Sequence, residues 1–113
     1  MQAAQNIMVL NGYGVKRIVT GCPHCLNTIK NEYPELGGEY EVLHHTQFIQ
    51  ELIDNGRLRI ADGNPFKGRR ITFHDPCYLG RGNGEYEAPR SALQALDADL
   101  VEMRRCKSKG LCC

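Results

Sequence analysis

Residues 15–25 read Val-Lys-Arg-Ile-Val-Thr-Gly-Cys-Pro-His-Cys and carry the most informative pattern in the chain. The apolar, β-branched run predicts a strand from Val15 to Thr20. Pro23 is typical of the first turn of a helix, so Cys22 and Cys25 are expected where that helix begins. Helix N-termini favour thiolates, and thiolates bind metal ions or exchange disulfides. The stretch therefore predicts reactive cysteines at the carboxyl end of a strand.

The same design recurs downstream, where residues 69–77 read Arg-Arg-Ile-Thr-Phe-His-Asp-Pro-Cys. Apolar periodicity and turn residues predict helices at Gln2–Asn11, Cys22–Tyr33, Thr46 up to Gly56 and Pro89–Leu96, and strands at Val15–Thr20, Tyr40–His44, Leu58–Ile60, Arg70–His74 and Leu100–Met103. Alternating strands and helices predict an α/β fold, with a parallel-rich sheet and helices on its faces. It would be built from two similar halves, each a strand, a cysteine loop, a helix and a strand. Since ligands bind beyond the carboxyl ends of parallel strands, we expect Cys22, Cys25 and Cys77 at one edge of this sheet.

Composition limits the function classes. A chain of 113 residues forms one domain at most, and its net charge of +1 gives no reason to expect nucleic acid or direct membrane insertion. No segment resembles a signal peptide or a spanning helix. Six cysteines in such a chain indicate metal binding or redox chemistry in a reducing compartment, so we expect a cytoplasmic protein.

The motif Cys22-Pro23-His24-Cys25 has three interpretations. It is half of a metal site, because two thiolates at this spacing reach one ion or cluster from a single turn. It is a dithiol redox centre, in which the intervening Pro-His lowers the pKa of the first thiol. Otherwise, both cysteines are partly buried residues at a helix start. The spacing alone favours the metal site and leaves the other two open.

The remaining cysteines are less regularly spaced. Asp75-Pro76 favours a turn, which would present Cys77 rather than bury it. Cys112 and Cys113 are adjacent, and vicinal cysteines are badly placed to form a disulfide with each other, so metal binding is the better interpretation. Cys106 matches no spacing and is expected to be a spare thiol.

Several neighbours of these cysteines are candidate supporting residues. His74 and Asp75 would orient ligands, although a histidine at a strand end is more often simply hydrogen-bonded. The glycines from Gly80 to Gly84 would let backbone amides approach a cofactor. A basic loop would offset the negative charge of a thiolate-bound cofactor or lie in solvent; its residues are Arg104, Arg105, Lys107 and Lys109.

Together, Cys-Pro-His-Cys, Lys-Asn-Glu-Tyr-Pro, His-Asp-Pro-Cys-Tyr-Leu-Gly-Arg and the terminal Cys-Cys resemble the cysteine-rich (CCG) domain. This domain occurs in one of the subunits of heterodisulfide reductase and in iron–sulfur subunits of glycolate and lactate oxidoreductases. The resemblance extends from Asn11 onward. It implies that residues 1–113 are one domain segment of a longer protein, holding the end of one CCG copy and the start of the next.

The resemblance also implies two sets of ligands. Cys22 and Cys25 correspond to the closing Cys-x-x-Cys of a first copy, and Cys77, Cys112 and Cys113 to the opening cysteine and vicinal pair of a second. In the family such a set binds a non-cubane [4Fe-4S] cluster, and in some members one set holds zinc. No glycine follows Cys113, and each set is partial, so a complete cluster is expected only in the full-length protein.

The function implied is electron transfer by an iron–sulfur oxidoreductase within a larger complex, with flavoprotein or ferredoxin-type partners and association with a membrane only through them. The segment would not be active alone. Two other functions stay open. One is thiol–disulfide exchange by Cys22 and Cys25, and the other is a structural zinc module.

Overall fold

The computed structural model describes residues 2–61 and 63–112. Backbone contacts divide the chain into two compact units, residues 1–45 and 46–113. Each unit contains a pair of short parallel strands, and the two pairs form separate two-stranded sheets. The chain is thus of mixed α/β type with parallel strands, as predicted, but a single sheet with one shared edge is not formed by the described residues.

The first unit contains helix α1 (Gln2–Gly12), strand β1 (Arg17–Thr20), helix α2 (Pro23–Asn27) and strand β2 (Glu41–His44). The two strands pair in parallel with Ile18 opposite Val42. At the edge of the pair, the Arg17 guanidinium lies 3.2 Å from the Glu41 carboxylate. The crossover between the strands runs through α2, as parallel pairing requires.

The segment after α2 changes its helical winding. A π-helical turn at Thr28–Glu32 and a 3-10 turn at Tyr33–Leu36 replace the single helix predicted up to Tyr33. The Tyr33 amide bonds the Thr28 carbonyl, and Pro34 has no amide hydrogen to continue a regular ladder. Gly37 then takes a φ of +87°, which ends the segment in the left-handed region that glycine adopts without strain.

The core of the first unit is formed by side chains from α1, α2, the 3-10 turn and β2. Ile7, Leu26, Tyr33 and Val42 are all buried. The Tyr33 hydroxyl accepts a hydrogen bond of 3.0 Å from the Asn6 amide. Gly38 is required here, because a Cβ atom at that position would lie 2.7 Å from Ile7.

The second unit holds strand β3 (Arg70–Ile71), helix α4 (Glu87–Gln94), strand β4 (Asp99–Leu100) and a 3-10 turn at Lys107–Lys109. Helix α3 (His45–Asp54) begins at the last residue of the first unit and continues into the second. β3 and β4 pair in parallel, with Ile71 opposite Leu100. Leu79, Pro89, Asp75 and Arg90 are buried in this unit.

Three predicted strands differ from the structure. No strand forms at Leu58–Ile60, where the Leu58 amide instead bonds back to Leu52 at the end of α3. β3 ends after Ile71 rather than at His74, and β4 is Asp99–Leu100 rather than Leu100–Met103. Neither segment continues as a strand past Ile71 or Leu100. None of the helices in residues 2–61 and 63–112 has the length and apolar character needed to cross a membrane.

Candidate metal and redox site

Cys22 and Cys25 lie at the carboxyl end of β1, as predicted, and both are exposed. Cys22 is the N-cap of α2, with extended backbone angles, and its carbonyl accepts the Leu26 amide at 3.0 Å. Its own amide donates to the Thr20 hydroxyl at 3.2 Å. These backbone bonds fix the turn that presents the two thiols on one side of a helix start.

The two thiols are in contact and differ in acidity. The Cys25 amide, the Cys25 thiol and the His24 amide all donate to the Cys22 sulfur, and these bonds lower the pKa of Cys22. The hydrogen bond with Cys22 and the charge on its sulfur raise the pKa of Cys25. Cys22 is therefore the more acidic of the two thiols. Two sulfurs in contact can bind one metal ion, or they can be oxidised to a disulfide.

Cys77 lies in the second unit, half-buried, in a loop that follows β3. The loop is wound on itself, because the amide of Gly80 donates to Pro76, that of Gly82 to Cys77 and that of Gly84 to Gly80. The expectation that glycine amides of this loop are available to a cofactor is therefore wrong for these three.

Close packing explains the glycines of this loop instead. A Cβ atom on Gly80 would lie 2.5 Å from the ring of Tyr86, and one on Gly82 would lie 2.9 Å from the Tyr78 carbonyl oxygen. Gly84 has a φ of +69°. The glycines therefore allow the loop after Cys77 to fold tightly.

The Asp75 carboxylate, two residues before Cys77, is the centre of the second unit's polar network. Arg90 of α4 donates to both of its oxygens at 2.7 Å, and the side chains of both residues are almost fully buried. The backbone amide of Lys107 donates to the same carboxylate. Because Arg90 and then the Lys107 amide bond it, the pKa of Asp75 lies below its usual value.

Arg90 uses all five N–H donors of its guanidinium. Besides Asp75, it donates to Glu102 at 2.7 and 3.0 Å and to the Tyr86 carbonyl at 2.8 Å. It also lies over the ring of Phe73, 5.5 Å from the centroid. These contacts raise the pKa of Arg90, chiefly through Asp75, and lower that of Glu102. Sequence reasoning missed this residue, because an arginine in an amphipathic helix is normally exposed.

The segment before Cys112 packs against this network. Lys107 has a φ of +53°, unusual for a residue with a side chain, and its amide is held by Asp75. Gly110 is buried, and a Cβ atom there would lie 3.4 Å from the Asp75 carbonyl oxygen. Cys112 follows and is exposed. Cys113 lies outside the described residues.

Cys106 also belongs to the polar network of Asp75, Arg90 and Glu102, since its thiol donates a hydrogen bond that helps to lower the pKa of Glu102. A cavity of about 370 Å³ lies nearby, lined by His74, Met103, Arg104, Arg105 and Leu111. Within the described part of the chain, the Nε2 atom of His74 is buried without a hydrogen-bond partner. His74 and two residues of the basic loop thus share one concave surface.

The predicted ligands are distributed between the units, with Cys22 and Cys25 in the first and Cys77 and Cys112 in the second. Among residues 2–61 and 63–112, no three cysteine, histidine, aspartate or glutamate side chains are gathered as a metal site. The donors are nevertheless thiols, one of them with a lowered pKa, and thiolates are the ligands that zinc and iron–sulfur clusters prefer.

The chain is similar to several iron–sulfur proteins. It is 43% identical over 110 residues to an EtfAB:quinone oxidoreductase of Syntrophomonas wolfei, covering 97% of this chain and 15% of the relative. It is 48% identical over 112 residues to a probable iron-sulfur-binding oxidoreductase FadF of Bacillus subtilis, covering 98% and 16%. It is 36% identical over 115 residues to one subunit of the dihydromethanophenazine:CoB–CoM heterodisulfide reductase of Methanosarcina barkeri, covering 98% and 27%.

The chain thus spans about a sixth of the length of the first two of these relatives. No solved structure gives a significant match. The family signature described as a cysteine-rich domain matches two stretches, residues 1–30 and 71–113, which include all six cysteines. This match confirms the resemblance found in the sequence, and the chain belongs to the cysteine-rich (CCG) domain family.

Proposed function

We propose that this chain is an iron–sulfur-binding domain of a heterodisulfide-reductase-like oxidoreductase and transfers electrons within a larger complex. The observation that carries the proposal is the pair of touching, exposed thiols at the end of β1, in a chain of the CCG family. The printed names of several relatives describe iron–sulfur or ferredoxin proteins, which supports it.

The ligands in this proposal are Cys22 and Cys25 for one site and Cys77, Cys112 and Cys113 for the other. When bound, a [4Fe-4S] cluster would accept and donate electrons, and zinc is the alternative occupant of one of the two sites. The chain's own contribution is to present the thiols: the hydrogen bonds to Cys22 lower its pKa, and the Asp75 network holds the segments that lead to Cys77 and to Cys112.

The domain boundaries belong to the same proposal. The chain would contain the end of one CCG copy and the start of the next, within a longer protein, and the two matched stretches support this division. Both units have a parallel strand pair, with the predicted cysteine loop after the first strand, which supports two similar halves. Flavoprotein or ferredoxin-type subunits would be the partners, in the cytoplasm or at a membrane through those partners.

Thiol–disulfide exchange is the second candidate, favoured by the contact between Cys22 and Cys25. The Cys22 thiolate would attack a substrate disulfide and release one thiol. Cys25 would then attack the mixed disulfide and release the second. The substrate gains two electrons from the pair, one proton from Cys25 and one proton from water, and the Cys22–Cys25 pair becomes a disulfide.

The deciding experiment measures iron, zinc and the visible spectrum of the protein purified without oxygen, both as this chain and as a form extended at both ends. Iron with broad visible absorbance in the extended form supports the cluster. Replacing Cys77 by serine should then lower the iron content, because the site that it shares with Cys112 and Cys113 loses a ligand. The control Cys106→Ser should retain all of the iron, because Cys106 lies outside the proposed ligand sets. Zinc at one per chain in both forms would favour a structural zinc module. No metal in either form, with a reducible Cys22–Cys25 disulfide, would favour thiol exchange.

A further inference from the structure

Arg90 joins the two chain segments that lead to the second set of thiols. Its guanidinium holds Asp75, which lies two residues before Cys77. The same carboxylate holds the Lys107 amide, in the turn that leads to Cys112. A single buried ion pair is therefore common to both segments.

We propose that Arg90 is a positioning residue for the cofactor, fixing the segments that present Cys77 and Cys112 before any metal binds. This inference rests on the function proposed above. It assigns to a helix residue, outside every cysteine motif, control over how the ligands are presented.

The chemistry of the side chain explains why arginine is needed. Its rigid fork carries five donors, and here they bond two carboxylates and the Tyr86 carbonyl at once. A lysine at this position keeps the charge but donates from one nitrogen, so it cannot reproduce the two-point contacts that Arg90 makes with both Asp75 and Glu102. The Arg90→Lys variant therefore shows whether a positive charge is enough or whether the geometry of the guanidinium is needed.

Stability alone does not account for this network. A buried ion pair carries a large desolvation cost, and apolar residues of similar volume often stabilise a core as well or better. The pair instead fixes the position of the segment before Cys77 relative to the turn before Cys112, because the Asp75 carboxylate accepts hydrogen bonds from Arg90 and from the Lys107 backbone at the same time. In metalloproteins, groups that hold the ligand-bearing segments are known to affect metal affinity.

The test compares Arg90→Lys with the control Arg57→Lys in the full-length protein that carries this domain; Arg57 is exposed. We measure iron content, the electron paramagnetic resonance spectrum and the rate of iron loss to a chelator. Arg90→Lys is expected to lose iron about 10-fold faster, with an altered spectrum, whereas the control is unchanged. Equal rates and identical spectra in a folded Arg90→Lys protein would overturn the inference.

A milder variant covers the case in which Arg90→Lys does not fold. Glu102→Gln keeps the Asp75–Arg90 pair and weakens only the half-exposed side of the network. Glu102→Gln should accelerate iron loss, but by less than Arg90→Lys does. No acceleration would also overturn the inference.

Alkylation of the metal-free protein separates this inference from the proposed function. If Arg90 positions the segments, the half-buried thiol of Cys77 should react faster with iodoacetamide in Arg90→Lys, while Cys22 should react at the same rate in both proteins. An unaltered protein that never holds iron would refute the proposed function even if this difference appeared. Unchanged alkylation of Cys77 together with an unchanged rate of iron loss would refute the positioning role of Arg90 and leave the proposed function in place.

Discussion

Replacing Asp75 by asparagine removes one charge from the buried network and leaves the shape of the side chain. Among the described residues, the Arg90 guanidinium then keeps only Glu102 as a charged partner, while its side chain remains 5% exposed. Breaking a buried pair on one side costs about 3–5 kcal/mol. Because Glu102 still compensates part of the charge, we expect the lower end, about 3 kcal/mol.

Urea unfolding followed by circular dichroism measures this change in the free energy of unfolding. With an m-value of about 1.5 kcal/mol per molar urea, a loss of about 3 kcal/mol lowers the midpoint by about 2 M. The control is Glu41→Gln, which breaks the exposed pair with Arg17 and should cost less than about 1 kcal/mol. A midpoint for Asp75→Asn no lower than that of the control would refute the structural reasoning.

The pH dependence of the same difference is a separate prediction. Arg90 holds the pKa of Asp75 below its value in the unfolded chain, so the contribution of Asp75 to stability is fully present above that unfolded pKa. It is lost as the pH falls through the lower, folded pKa. The gap in urea midpoint between the unaltered chain and Asp75→Asn should therefore be constant from about pH 5 to 7 and shrink below about pH 4. A gap that persists unchanged in acid would contradict the assignment.

Two further predictions concern the loops. Gly80→Ala places a methyl group against the ring of Tyr86 and should destabilise the chain by about 1–3 kcal/mol in urea unfolding. Gly12→Ala, which meets no atom within 4 Å, should not; equal effects would show that the loop relaxes freely. In the metal-free chain, iodoacetamide at neutral pH should modify Cys22 before Cys25, as read by mass spectrometry, because hydrogen bonds lower the pKa of Cys22 and raise that of Cys25. Faster modification of Cys25 would contradict the assignment of the Cys25 thiol as donor and the Cys22 sulfur as acceptor.

The parts that sequence predicts well are those determined within a few residues. The β-branched run before Cys22 and the proline after it specify a strand followed by a helix start, so the contact between Cys22 and Cys25 follows from their spacing. The termination of α3 near Gly56 is local in the same way, because that glycine has a φ of +70°.

The parts that sequence does not predict depend on contacts between distant residues. The partners of Arg90 lie in segments that only the folded chain brings to α4, so nothing near residue 90 reveals that this arginine is buried. β3 is shorter than predicted for a related reason. Thr72 and Phe73 favour a strand locally, but in the folded chain Phe73 and Asp75 contact Arg90, and the strand ends after Ile71. The change of winding after α2 likewise has no strong local signal apart from Pro34.

The left-handed backbone at Lys107 has a consequence for how a cofactor would be inserted. A lysine adopts this conformation only when other contacts compensate its cost, and here the compensating acceptor, Asp75, lies 32 residues earlier in the chain. The turn before Cys112 thus depends on a contact with a residue far away in the sequence and not only on its own neighbours. In a zinc finger the metal drives an unfolded peptide to fold. In this domain we expect the reverse order, with metal insertion as a late step of maturation into a scaffold that the polypeptide has already built.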